Sequence, residues 1–133
     1  MSNPVVYDDG TQAWWVDNER HRIDGPAIIY PDGSQEWWID GKCHREDGPA
    51  YVGADGSQEW CVDGKHHRED GPAFIHVNGT QLWFIDNKLH REDGPAIIYL
   101  DGYQSWWIDG QQVKEENFEE EVKLYQCRMV IES

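Results

Sequence analysis

The sequence predicts an all-β repeat: an elongated, twisted antiparallel sheet of about five stacked β-hairpins with a C-terminal capping α-helix. Three observations predict it. A 23-residue period runs without a slip through Asp9-Gly10, Asp32-Gly33, Asp55-Gly56, Asn78-Gly79 and Asp101-Gly102. Runs rich in Trp, Ile, Val and Tyr alternate with Asp-Gly and Asn-Gly pairs, the pattern of short strands and tight turns. The segment after Gln112 then drops Gly and Pro altogether until the end of the chain. The whole forms one domain, with hairpin repeats over 4–113 and the helix over 114–130.

The five copies start at residues 9, 32, 55, 78 and 101, and the fifth leaves the pattern after Val113. Val5-Val6-Tyr7 matches Ile28-Ile29-Tyr30 and reads as the last strand of an incomplete copy. Where copy one meets copy two, Ala27-Ile28-Ile29-Tyr30 is a strand, Pro31-Asp32-Gly33-Ser34 a turn and Gln35-Glu36-Trp37-Trp38-Ile39 the returning strand. A flat antiparallel meander repeats by translation only with an even number of chain reversals per copy. Two strands per copy are therefore expected. One Asp-Gly site becomes a bulge or bend, and the His-Arg stretch at 44–45 a short connecting arm. Strands about 4.8 Å apart then give a sheet roughly 45–50 Å long. A propeller blade needs about 40 residues, so the period excludes it, and Gly, Pro and Asp-Gly interrupt every helical window within the repeats.

Two aromatic columns follow. Trp14, Trp37, Trp60, Trp83 and Trp106 never change, whereas the next position reads Trp15, Trp38, Cys61, Phe84 and Trp107. Alternation puts Gln35, Trp37 and Ile39 on one face, expected to be packed, and Glu36 and Trp38 on the other, expected to be partly exposed. In the tail, Phe118, Val122, Tyr125 and Met129 fall at helical spacing, and acids crowd the first turns. Repeat arrays need such end caps.

Composition narrows function. With 26 acids against 11 bases the formal charge is −15. That opposes direct binding to nucleic acid or to an anionic membrane surface. Three widely spaced cysteines, Cys43, Cys61 and Cys127, fit neither a disulfide framework nor a zinc site. No secretory leader or membrane-length apolar run is visible, so the expected setting is a reducing cytoplasm.

The motifs HREDGPA (44–50) and DGSQEWWIDGK (32–42) resemble the MORN and MORN-like antitoxin-type repeats of phage and large viruses. Those repeats share the 23-residue period and an aromatic-x-x-x-Gly-Lys pattern. The resemblance spans 4–113, and VKEENFEEE (113–121) is similar to the family's terminal segment. It implies a viral protein acting on host components. Unlike the MORN pattern, Arg45-Glu46-Asp47 stands before Gly48, so lipid binding is not implied.

His21, His44, His67 and His90, with Asp24, Asp47, Asp70 and Asp93, raise the question of metal or acid–base chemistry. An enzyme site is normally a unique cluster, however, and this pair occurs four times. The favoured reading has His-Arg packing on the next hairpin and Arg pairing with a turn carboxylate. No catalytic residue, metal ligand or cofactor is assigned. The partner-binding candidates are Trp15, Trp38, Phe84 and Trp107, with the acids Glu36, Glu59, Asp40, Asp63 and Asp86. Between residues 9 and 113 there are 19 acids and 8 bases, arranged in regular rows. The expected function is a non-enzymatic, phage-encoded interaction protein that blocks a host protein with a basic surface. A nucleic-acid-processing or defence enzyme is the favoured target class, with the acid rows imitating nucleic acid. The alternative is a small-ligand or carbohydrate module that uses the Trp ladder.

Overall fold

A computed structural model describes residues 3–132. Its spine is an 11-stranded antiparallel sheet in which spatial order follows chain order. Each of the first four copies contributes two strands of two residues, such as Gln35–Glu36 and Tyr51–Val52 in copy two, and the fifth contributes the longer Gln104–Ile108 and Gln111–Val113. Ile29 pairs with Gln12 on one side and Gln35 on the other, so the junction between copies repeats the register within a copy. The incomplete first copy joins in the same way, with Val5 opposite Ala13. Ten inter-strand steps of about 4.8 Å give the expected length of about 48 Å.

The turn closing each of these hairpins is the same. Gly33 N–H donates to Tyr30 C=O at 3.0 Å, and Tyr30 N–H to Ser34 C=O at 2.9 Å. Pro31 pre-sets the first corner, and Gly33 takes φ 94°. Ser34 N–H donates to Asp32 Oδ1 at 2.8 Å, which explains the recurrent Asp or Asn at the turn.

The second half of each copy differs from the two-strand expectation. The returning strand breaks at Trp37 and resumes as Trp38–Ile39, which pairs with Lys42–Cys43 in a second, two-residue hairpin. The reason is the turn at Asp40-Gly41, with φ of 51° and 75°. Two consecutive left-handed residues make the type I′ turn whose twist matches that of the flanking strands. Asn replaces Gly at Asn18 and Asn87 (φ 66° and 69°), the residue that best tolerates this conformation. Parity still holds: each copy reverses twice, and Asp47-Gly48 is the expected bend. These side hairpins form a second ladder beside the sheet. Gly41 N–H reaches Arg20 C=O at 3.0 Å, and Arg22 N–H reaches Trp38 C=O at 3.1 Å.

The core is a thin line along the array. Ala27, Ala50, Ala73 and Ala96 are fully enclosed. Trp37 N–H donates to Ala50 C=O, and Ala50 N–H to Glu59 C=O. Each alanine is thus bonded on both sides at the seam between sheet and side hairpins.

After a single 3₁₀ turn at Glu115–Asn117, the helix runs Phe118–Glu132, a few residues later than 114–130. Val122 is buried, and Tyr125 packs tilted against His90 with ring centres 4.7 Å apart. Met129, Val130 and Ile131 are exposed. The helix caps the last copies through Val122, Tyr125 and Gln126, whose Nε2 donates to Glu92 Oε1 at 2.9 Å.

Candidate functional site

The His-Arg arm builds one face of the molecule, identically in four copies. Arg45 lies flat over Trp37, its guanidinium carbon 4.0 Å from the ring centre. Arg22, Arg68 and Arg91 sit over Trp14, Trp60 and Trp83 at 3.9, 3.8 and 4.0 Å. Arg45 Nε donates to Asp47 Oδ1 at 3.1 Å, and Nη1 to Pro49 C=O at 3.0 Å. Gly48 is needed because a Cβ there would lie 2.9 Å from the guanidinium carbon. The His-Arg-x-Asp-Gly-Pro motif is therefore a clamp: Arg on Trp, with the bend folded over Arg.

The histidines join one copy to the next. Asp63 N–H donates to His44 Nδ1 at 3.0 Å. Asp40, Asp86 and Asp109 N–H groups do the same to His21, His67 and His90, at 3.0, 3.1 and 2.9 Å. An accepting Nδ1 places the ring proton on Nε2. These rings hold the type I′ turns in place, which is the packing role expected of them. Among the described residues no three His, Cys, Asp or Glu side chains are grouped to hold a metal ion. No helix among them is long and apolar enough to cross a membrane.

The other face varies from copy to copy. It contains the looser aromatic column and a second column that sequence reasoning missed: Arg20, Cys43, His66, Leu89 and Gln112. The two alternate as cross-strand partners, from Trp15 opposite Arg20 to Trp107 opposite Gln112. The available signal was that the residue immediately before each His-Arg pair also varies. Arg20 bridges copies, 5.5 Å from the Trp15 ring centre and 5.2 Å from that of Trp38. The neighbouring Cys61 sulfur and burial push the Cys43 thiol up, and the Cys43 thiol pulls Cys61 down. His66 packs tilted against Phe84, with ring centres 5.4 Å apart.

The nine candidate residues separate on this frame. Trp15 is exposed, whereas Trp38, Phe84 and Trp107 are half-buried in the ladder. The invariant column is no more enclosed: Trp14 is buried, and its four equivalents are half-buried. Glu36 is engaged inside the protein. It accepts from Tyr30 Oη at 2.7 Å and from Trp38 Nε1 at 2.8 Å. Burial and this carboxylate push the Tyr30 hydroxyl up to about 12. Glu59 meets His66 Nε2 at 2.9 Å and raises the imidazole above its usual range. Asp40, Asp63 and Asp86 are the exposed members, projecting from the type I′ turns.

The exposed acids extend beyond that set. Asp47, Asp70 and Asp93 pair with Arg yet keep 86–87% of their side-chain surface in solvent. Glu46 and Glu69 are 80% and 83% exposed, each 3.6 Å from a histidine Nε2. Acid rows thus line the clamp face and the side-hairpin tips. No protein-family model matches the chain, and no curated protein matches it.

Proposed function

We propose that this protein is a non-enzymatic interaction protein that occupies a basic surface of a host protein in place of nucleic acid. The carrying observation is the linear density of charge. Copies two and three each hold five acids and two bases, net −3. Each copy advances the sheet by two strands, about 10 Å. One DNA strand carries a phosphate every 3.4 Å, so about three charges fall in the same length. A stiff ladder with that density presents a basic groove with the field it is built to bind. The partner class that fits is a nucleic-acid-processing or defence enzyme in the cytoplasm of an infected cell, in keeping with the resemblance to phage MORN-like repeats.

The absence of an assigned catalytic group follows from the repetition itself. The His and Asp columns that would do chemistry hold turns and arms in each of the four full copies. The small-ligand or carbohydrate reading has less support, because Trp38, Phe84 and Trp107 of the looser aromatic column are half-buried in the ladder and only Trp15 is exposed.

The test is capture of proteins from a bacterial lysate at low and high salt, with and without competing DNA. Captured proteins should be released both by salt and by DNA. Retention of the same proteins at high salt and in excess DNA overturns the proposal.

A further inference from the structure

Three equivalent grooves run along the clamp face, one between each pair of successive arms. Their floors are Trp37 with Ile39, Trp60 with Val62, and Trp83 with Ile85. Their volumes are about 820, 610 and 770 Å³. Tyr125 of the C-terminal helix lines the third.

The walls set the chemistry. Each arm's arginine is matched by the aspartate it clamps, which leaves Glu46 and Glu69, facing only a histidine Nε2 at 3.6 Å and at least 80% exposed, as the second groove's carboxylates with no Arg or Lys partner. An apolar floor under a carboxylate rim suits a long cationic side chain. Its methylenes lie on the floor and its charged tip reaches the rim. In the first arm, Ile23 stands where the others have Glu, so the first groove has a weaker rim.

The spacing sets the partner's backbone. Grooves recur every two strands, about 10 Å apart. A β-strand carries its same-side residues about 6.6 Å apart and cannot match that step. A polyproline II segment rises about 3.1 Å per residue with three residues per turn, so every third side chain points the same way about 9.3 Å on.

We propose that the groove row docks a basic polyproline II segment of the partner protein, with one Lys or Arg from every third residue in each groove. This rests on the acidic-surface reading above and names the face and the partner chemistry.

The experiment compares two synthetic peptides of one composition. One repeats Lys-Pro-Ala three times, and the other clusters its three lysines. Binding is read by titration calorimetry and by tryptophan fluorescence at low salt. The periodic peptide should bind roughly tenfold more tightly, a difference of about 1.4 kcal/mol. Glu46→Gln with Glu69→Gln should abolish the preference while the thermal transition stays in place, and Ile23→Glu should strengthen it. Equal affinities, or no binding by either peptide, overturn the proposal. If the peptides fail while lysate proteins are still captured and released by salt and DNA, the grooves are wrong and the acidic-surface reading stands. If the peptides behave as expected and nothing is captured, the reverse holds.

Discussion

The two faces of the ladder teach different lessons about repetition. On the clamp face, Trp, His, Arg, Asp, Gly and Pro recur with the same contacts in every full copy. On the opposite face, the cross-strand row runs Trp15, Arg20, Trp38, Cys43, Cys61, His66, Phe84, Leu89 and Trp107, and its contacts change chemistry at each step. A residue that recurs is one the local geometry cannot do without. A residue that varies needs only to fit its two neighbours. Repetition here marks scaffold first, and any binding role of the clamp face must use what the scaffold leaves exposed.

The sharpest way to break this comparison is to truncate one residue from each face in the same copy. Trp60→Ala should cost about 3 kcal/mol in denaturant unfolding, because it removes a half-buried indole and the surface under Arg68. Cys61→Ala, next along the chain but on the variable face, should cost about 1 kcal/mol. Equal losses would erase the distinction. Gly71→Ala comes next. Its new methyl would lie 2.9 Å from the Arg68 guanidinium carbon, so arginine must leave its place, at about 1–2 kcal/mol. Arg68→Lys should follow at about 1 kcal/mol, since an ammonium cannot stack on Trp60 while also bonding Asp70 and Pro72 C=O as the planar fork does.

The variable face and the turns of the main sheet also differ in pH response. Glu59 raises His66 above its usual 6.5. The stabilisation from this pair is complete below pH 6.5 and fades as pH rises through the raised value. Glu59→Gln should remove that dependence, and imidazole NMR shifts provide the check. The turn acids act oppositely. Backbone N–H groups of Thr11, Ser34 and Ser57 hold Asp9, Asp32 and Asp55 below the usual 3.8. Their contribution is present above that pH and lost as pH falls through the lowered values, a smaller effect because these carboxylates are fully exposed. Thiol alkylation should show the gentlest contrast. Exposed Cys127 should react first and buried Cys61 last, as read by mass spectrometry. Early labelling of Cys61 would mean that the variable face is open.

Much of the fold was legible because its signals are local. Pro-Asp-Gly-Ser is a turn wherever it stands, and Phe118, Val122, Tyr125 and Met129 at helical spacing already predict the helix, although Met129 ends exposed. The second hairpin was not legible. Asp40-Gly41 as a type I′ turn and Asp47-Gly48 as a bend carry the same dipeptide, and only their neighbours in space separate them. The partner candidates divided for a similar reason. Glu36 and Glu59 look like Glu46 and Glu69 in composition, but Tyr30, Trp38 and His66 are carried to the first pair by strand register.

The sequence by itself determined the period, the pairing order of the sheet, the place of the helix and the density of negative charge. Each depends on spacing along the chain, which folding does not alter. The tertiary structure decided which side of each Trp receives an arginine, which carboxylates remain free, and that the arms of successive copies enclose grooves. Those depend on contacts across copies, 19 residues apart in the case of each His and the turn it holds. Such contacts follow from the twist and register of the assembled ladder, and a linear pattern does not encode them.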